Sequence, residues 1–287
     1  MPIELKNVDY VYDSGEPFEY FALRDISLRI SDGTFVGIVG RTGSGKSTLV
    51  EHLNGLLFAS RGEVIVDGEV VSGKRAVLAG IRRKVGIVFQ YPEDQFFAET
   101  IFEEVAFGCR NLGFDKDQVE ESVRKAMAIV GLDPVRFLPL SPFQLSGGEQ
   151  RRIAIASVIA MRQKYLVLDE PTAGLDSRSK LAVLTELESL RQDLGVTVIL
   201  VSHNMDEVAE FCSQVIVLDE GTVAFDGPSE GFFRDVSLVA RTGLELPESY
   251  RLAQALRQCG SNLAVNEEST DRMLESLRLV VAQKGEK

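Results

Sequence analysis

Gly40-Arg41-Thr42-Gly43-Ser44-Gly45-Lys46-Ser47 follows the spacing G-x-x-x-x-G-K-[ST], with Thr48 next in line. Glycines so placed let a backbone wrap a polyphosphate and turn several N–H groups inward. A helix starting there adds its partial positive charge. Lys46 is placed to reach the β- and γ-phosphates of a nucleotide, and the Ser47 hydroxyl to bind Mg2+. A plain Gly-rich turn would account for the glycines alone. The strand-like run before the loop and the helical pattern after it favour a nucleotide.

Further along, Tyr165-Leu166-Val167-Leu168 is an apolar strand that presents Asp169 and Glu170 at its end. In open α/β sheets the carboxyl ends of strands line the ligand crevice. Asp169 is therefore expected to hold Mg2+, directly or through water. Glu170 is expected beside the γ-phosphate, polarising the attacking water. Alone, such a pair also fits the acidic start of a helix. Gln90 ends the strand 85–89, where an amide can touch Mg2+ or the attacking water. Of the 2 histidines, His203 follows the strand 196–201 and can hydrogen-bond the γ-phosphate. His52, on the helix after the phosphate loop, reads as a satisfied core histidine. Leu145-Ser146-Gly147-Gly148-Glu149 precedes a helix expected over 151–160, an N-terminus suited to an anion.

These residues need a scaffold. Residues 3–12 alternate as a strand, and a second strand follows over 22–30. Residues 34–39 form a buried strand rich in β-branched residues. A helix is expected over 46–57, with Leu49, Leu53, Leu56 and Leu57 on one face and Gly55 near its end. Residues 64–71 read as a hairpin around Asp67-Gly68. Residues 97–163 turn largely helical, with Val119, Val123, Met127 and Val130 at helical spacing. Strand and helix alternation then resumes: strand 165–169, helix 177–194, strand 196–201, helix 205–212, strand 214–218. A last hairpin turns at Glu220-Gly221. The tail, 236–287, reads as short amphipathic helices broken by Pro247 and Gly260.

The chain has 287 residues, 45% of them apolar, enough for a sizeable core. No run approaches the ~18 to 20 apolar residues that span a bilayer. The first residues lack a signal-peptide pattern, so a cytoplasmic location is expected. A net charge of −12 argues against non-specific binding to nucleic acid or anionic lipid. Membrane association should then run through a protein partner. Cys109, Cys212 and Cys259 lack CxxC spacing and read as reduced, buried thiols.

With its motifs in this order, the chain resembles the nucleotide-binding subunits of ATP-binding-cassette transporters over about residues 3–235. By that resemblance, Gly40 to Ser47 are the Walker A loop, Gln90 the Q-loop and Leu145 to Glu149 the signature. Tyr165 to Glu170 match Walker B, Ala173 to Asp176 the D-loop, and His203 the switch histidine. Glu149 stands where the family usually has Gln, a substitution that recurs within it. The implied fold is α/β: a RecA-like P-loop core, an antiparallel β subdomain, an inserted α-helical subdomain at about 91–160, and a C-terminal helical extension over 236–287. The resemblance implies that two cassettes pair head to tail and bury two ATPs between phosphate loop and signature. Ser146, Gly147, Gly148, Glu149 and Asp176 would then serve the partner's nucleotide. An aromatic stacks on adenine in this family; Tyr12 matches that position best, with Tyr10, Phe18 or Tyr20 as substitutes.

A narrower resemblance is to the energy-coupling factor ATPases of prokaryotic micronutrient importers. It rests on the run from Gln90 to Gln95, on His52-Leu53-Asn54-Gly55-Leu56-Leu57 and on the insertion from Gly15 to Glu19. The last two features resemble the second of the two paralogous ATPases. ATP and Mg2+ are the implied cofactors. The implied partners are a second cassette ATPase, either a paralogue or a second copy, a transmembrane coupling component docking on 91–108, and a small substrate-binding membrane protein. The chain would sit peripherally on the cytoplasmic face of the membrane, driving uptake of a vitamin or a transition-metal ion. A conventional cassette transporter keeps the chemistry and changes the partner. A soluble cassette protein acting on ribosomes or DNA is disfavoured by the single cassette, the lack of sustained heptads and the acidic balance.

Overall fold

The computed structural model describes residues 1–258 apart from 14, 16–18 and 91–94. The chain begins with β1 (Ile3–Tyr12), β2 (Tyr20–Ile30), β3 (Phe35–Val39), α1 (Lys46–Leu53), β4 (Arg61–Val66), β5 (Glu69–Val70), α2 (Arg75–Lys84) and β6 (Val85–Val88). Next come the helices α3 (Ile101–Asn111), α4 (Lys116–Ile129), α5 (Pro134–Phe137) and α6 (Gly147–Ile159). Alternation resumes with β7 (Tyr165–Asp169), α7 (Ser177–Leu194), β8 (Thr197–Val201), α8 (Met205–Phe211), β9 (Gln214–Asp219) and β10 (Thr222–Pro228). The described chain closes with α9 (Ser229–Arg234), α10 (Val236–Arg241) and α11 (Glu248–Gln258).

The larger sheet has the order β10-β9-β3-β8-β7-β6, parallel from β9 to β6 with β10 antiparallel at its edge. β3, β7 and β8 are buried at every position. That is the pattern of parallel strands covered on both faces. One face packs through Val36, Ile38, Tyr165 and Ile199 against Leu49 and Leu53 of α1 and against Ile3, Leu5 and Leu23 of the antiparallel sheet β2-β1-β4-β5. The other face joins a second core with Val105, Val123 and Ile155 of the helical insert and Leu187 of α7. The antiparallel sheet thus presses α1, and the loop before it, onto the carboxyl ends of the parallel strands.

Most expected elements form within a few residues of their expected bounds. α1 is an exception, ending at Leu53 rather than Leu57: Asn54 leaves the helix and Gly55 turns back at φ +70°. Leu56 is therefore largely exposed instead of sharing the buried face of Leu49 and Leu53. α2 was not anticipated; it is a mostly polar surface helix that buries only Ile81. The expected hairpin turns at Asp67-Gly68, both at positive φ, as a tight two-residue turn requires. Val119, Val123 and Met127 line the buried face of α4. Cys109 and Cys212 are buried free thiols; Cys259 and the rest of the tail lie outside the described residues. So do Tyr91 to Asp94 and most of the Gly15 to Glu19 insertion.

Candidate functional site

β3 ends at the phosphate loop, and α1 begins immediately after it with Gly45 in the left-handed conformation at φ 101°. A side chain at Gly40 would overlap the Leu218 carbonyl and the Ser44 hydroxyl, and one at Gly45 would overlap the Ala22 carbonyl. The loop is wrapped tightly enough that only glycine fits at both points. Across it, the Lys46 ammonium donates to the carbonyls of Gly40 at 2.7 Å and Arg41 at 2.9 Å. Burial pulls the Lys46 pKa down, against the attraction of the Glu170 and Asp169 carboxylates.

β7 delivers the two acids. Asp169 Oδ2 accepts the Ser47 hydroxyl at 3.3 Å, which joins the strand end to the start of α1. Burial raises the Asp169 pKa, opposed by the Ser47 hydrogen bond and the Lys46 and His203 charges. Glu170 stands at φ 54°, with its N–H donated to Val201 O at 2.9 Å. This ties it to the end of β8, from which His203 also comes. Glu170 Oε2 lies 2.6 Å from His203 Nε2. Its pKa is pushed up to about 7, first by burial and then by the neighbouring Asp169 charge, with Lys46 pulling the other way. A carboxyl poised there can exchange a proton near neutral pH.

A cleft of about 260 Å³ holds Lys46, Ser47, Gln90, Asp169, Glu170 and His203 along its walls. Thr42, Gly43, Gly45 and Thr48 complete its floor. Tyr20 forms one side, its hydroxyl donating to Gly43 O at 3.2 Å. Tyr12 stands beside it, sharing a hydrogen bond with the Thr48 hydroxyl at 3.2 Å. Its ring meets Tyr10 edge-on at 4.8 Å, and Tyr10 meets His52 in the same way at 4.8 Å. His52 is fully buried, with Nδ1 2.7 Å from Thr48 O, and burial lowers its pKa. Phe18 lies outside the described residues.

The Ser146 to Glu149 segment does not line this cleft. It caps α6 in a reciprocal box: Ser146 N–H and hydroxyl donate to Glu149 Oε2 at 3.0 and 2.7 Å, and Glu149 N–H returns to the Ser146 hydroxyl at 3.4 Å. The Ser146 hydrogen bonds hold the Glu149 carboxyl below its usual pKa. Asp176 caps α7, accepting from Ser179 N–H at 3.0 Å and Ser179 hydroxyl at 2.7 Å. These hydrogen bonds lower its pKa.

Two residues of this region escaped the sequence reading. Arg151, buried on α6, donates to Ala173 O and so ties the signature helix to the segment before Asp176. Glu207, buried on α8, accepts from Thr172 at 2.9 Å, Ser202 at 3.1 Å and Asn204 at 3.2 Å. It joins the strand ends that carry Glu170 and His203. The spacing Asn204-x-x-Glu207 at a helix start was the available signal for Glu207.

A nucleoside triphosphate with a divalent cation fits these residues. The glycine cradle admits no side chain at Gly40 or Gly45. The Ser44 hydroxyl and Glu170 Oε1 are buried without a partner among the described residues. Ser47, Asp169 and Gln90 offer the oxygen ligands that a hard cation takes.

The raised Glu170 pKa sets a pH dependence for the nucleotide-free chain. Its folded value of about 7 exceeds the ordinary 4.5, so the folded state keeps the proton longer than the unfolded state. Stability from this group is full below pH 4.5 and is lost as pH rises through about 7. Thermal denaturation should therefore show Glu170→Gln gaining on the wild type across that window and holding its gain above it. A difference in melting temperature that does not change with pH would contradict the burial argument.

Residues 23–173 match the family model for ABC transporters. The chain is 45% identical over 264 residues to the energy-coupling factor transporter ATP-binding protein EcfA2 of Clostridium perfringens, covering 92% of this chain and 93% of that protein. It is 46% identical over 283 residues to the protein of the same name from Symbiobacterium thermophilum, covering 98% and 97%. Among solved structures it is similar to cbiO1 from Clostridium perfringens, described as part of the ABC transporter complex cbiONQ. That match has a TM-score of 0.74 and 32% identity, covering 88% of this chain and 98% of that one. It also resembles the dimeric ATP-binding cassette MJ0796 bound to ADP and Pi, with a TM-score of 0.72 and 31% identity, covering 79% and 98%. The chain belongs to the ATP-binding-cassette family and, within it, to the energy-coupling factor transporter ATP-binding proteins.

Proposed function

We propose that this chain supplies one half of each of two composite ATP sites in an energy-coupling factor importer. It is an ATP-hydrolysing subunit of such a transporter. The observation that carries the composite site is a separation within one chain. Lys46, Ser47, Gln90, Asp169, Glu170 and His203 share one cleft, while Ser146 to Glu149 stand outside it at the capped start of a separate helix. A second cassette, paralogous or identical, would complete each site.

When bound, ATP with Mg2+ supplies an electrophilic γ-phosphoryl group whose charge the metal neutralises. Ser47 and Asp169, already within hydrogen-bonding distance of each other, would hold the cation together with Gln90. Lys46 would turn its ammonium from the loop carbonyls toward phosphate oxygens. Glu170 would orient a water and take up its proton, and His203 would hold the Glu170 carboxyl by its hydrogen bond. Tyr12 would stack on the adenine, with Tyr20 closing the other side of the cleft.

Residues 1–235 would form the ATPase domain and 236–287 an extension that helps to pair the subunits. Among the described residues no helix is long and apolar enough to cross a membrane. As an ATP-binding protein of the energy-coupling factor type, the chain would act from the cytoplasmic face, docked on a transmembrane coupling component beside a small substrate-binding membrane protein. The transported solute, a vitamin or a transition-metal ion, would be chosen by that small protein. The acidic balance argues against a nucleic-acid partner.

The composite site is tested by Ser146→Arg in mixed dimers. The added cation should abolish turnover at the site built on the partner's phosphate loop and spare the site built on the mutant's own. Loss confined to the mutant's own phosphate loop would overturn this reading.

A further inference from the structure

The segment joining α10 to α11 touches both halves of the candidate site. Gly243 stops α10 at φ +66°, with its N–H donated to Ala240 O at 3.1 Å and the Leu244 N–H to Val239 O at 3.2 Å. The bend lays the bare Cα of Gly243 against the guanidinium of Arg41 in the phosphate loop. A Cβ at position 243 would overlap Nε, Cζ and Nη2 at the end of the exposed Arg41 side chain, which would have to swing away. The Arg41 carbonyl is one of the two that hold the Lys46 ammonium. At the other end of the segment, Glu248 opens α11, and its N–H has no carbonyl partner within its own helix. Asp206 Oδ1 accepts it at 2.6 Å. Asp206 lies in the first turn of α8, directly after the loop that carries His203.

The segment is anchored independently of these contacts. Tyr250 and Ala253 are buried, and the Tyr250 ring lies 5.4 Å from Phe233. The segment, the phosphate loop and the His203 loop together line a cleft of about 630 Å³. Stopping a helix calls for a residue that accepts the left-handed conformation, which asparagine also does. It does not call for a bare Cα pressed on an arginine.

We propose that residues 243–248 form a latch that positions Arg41 and the His203 loop for nucleotide binding, which makes Gly243 and Asp206 positioning residues for ATP hydrolysis. The latch rests on the ATPase reading above. It gives the C-terminal extension a direct mechanical hold on the nucleotide site. Movement of the extension would shift the phosphate loop and the His203 loop together.

The test is steady-state ATP hydrolysis by the assembled transporter carrying Gly243→Ala, Arg41→Ala, the double variant, Asp206→Ala or Asp206→Asn. Gly243→Ala should raise the KM for ATP roughly threefold to thirtyfold, with kcat changed by less than about twofold. In the Arg41→Ala background the same change should move KM by less than about twofold, because the overlap is gone although the backbone strain remains. Asp206→Ala should also raise KM, and Asp206→Asn, which keeps an acceptor oxygen, should not. An unchanged KM in both Gly243→Ala and Asp206→Ala would overturn the latch. So would a rise in Gly243→Ala that is equal with and without Arg41, which would leave Gly243 a helix stop only. If Gly243→Ala does not fold, the Asp206 pair decides alone. Lys46→Ala serves as the control. Normal turnover in that variant would undo the ATPase reading itself, whereas flat KM values beside an inactive Lys46→Ala would undo the latch alone.

Discussion

Glu170→Gln is expected to keep ATP binding and lose turnover by roughly two to four orders of magnitude, the contribution of a positioned general base. The substitution is nearly isosteric, and it removes the carboxylate charge together with the ability to take up a proton. Three features of the site make the effect large. Glu170 is buried, its carboxyl is poised at about 7, and its orientation is fixed by the Val201 carbonyl on one side and His203 on the other. The amide should also relieve the charge repulsion with Asp169, so the closed, nucleotide-bound pair should accumulate. Equilibrium binding of a fluorescent ATP analogue and single-turnover hydrolysis check the two halves of this expectation. Hydrolysis within a few-fold of wild type would remove Glu170 from the role of base.

Lys46→Ala is expected to lose turnover by at least roughly a hundredfold, and to lose nucleotide affinity with it. Two effects combine here. The ammonium is the charge closest to the expected phosphates, and it also pins the loop by its bonds to the Gly40 and Arg41 carbonyls. Removing it leaves those carbonyls turned toward the place an anion would occupy, which is unfavourable in a partly dry site. Titration with the same analogue should show weakened binding, in contrast to Glu170→Gln. Tight binding in Lys46→Ala would show that backbone N–H groups alone hold the phosphates.

The sequence was most informative where local chemistry constrains the chain. The phosphate loop could be read from glycine, lysine and hydroxyl spacing, and the structure shows why: side chains at Gly40 and Gly45 have no room. The apolar runs of β3, β7 and β8 marked buried strands, and the structure shows them parallel and covered on both faces. The placement of Asp169, Glu170 and His203 at strand ends then followed from the architecture. What escaped depends on contacts between distant segments. Glu207 and Arg151 become informative only when α8 meets Thr172 and α6 meets Ala173. α2 lies at the surface, with only Ile81 of it buried. The end of α1 was misjudged because Leu56 and Leu57 continue its spacing, while the left-handed Gly55 has already turned the chain. The aromatic wall was left open among several residues, and the structure divides it: Tyr20 borders the cleft, and Tyr12 stands at Thr48, braced by Tyr10 and His52.

The central claim is that this chain works as one cassette of a membrane-bound pair. It is tested most directly by purifying a tagged Glu170→Gln chain from detergent-solubilised native membranes and identifying by mass spectrometry what accompanies it. A second cassette ATPase should accompany it, together with a transmembrane coupling component and a small membrane protein. Recovery only from the soluble fraction, alone or with ribosomes or DNA, would contradict it.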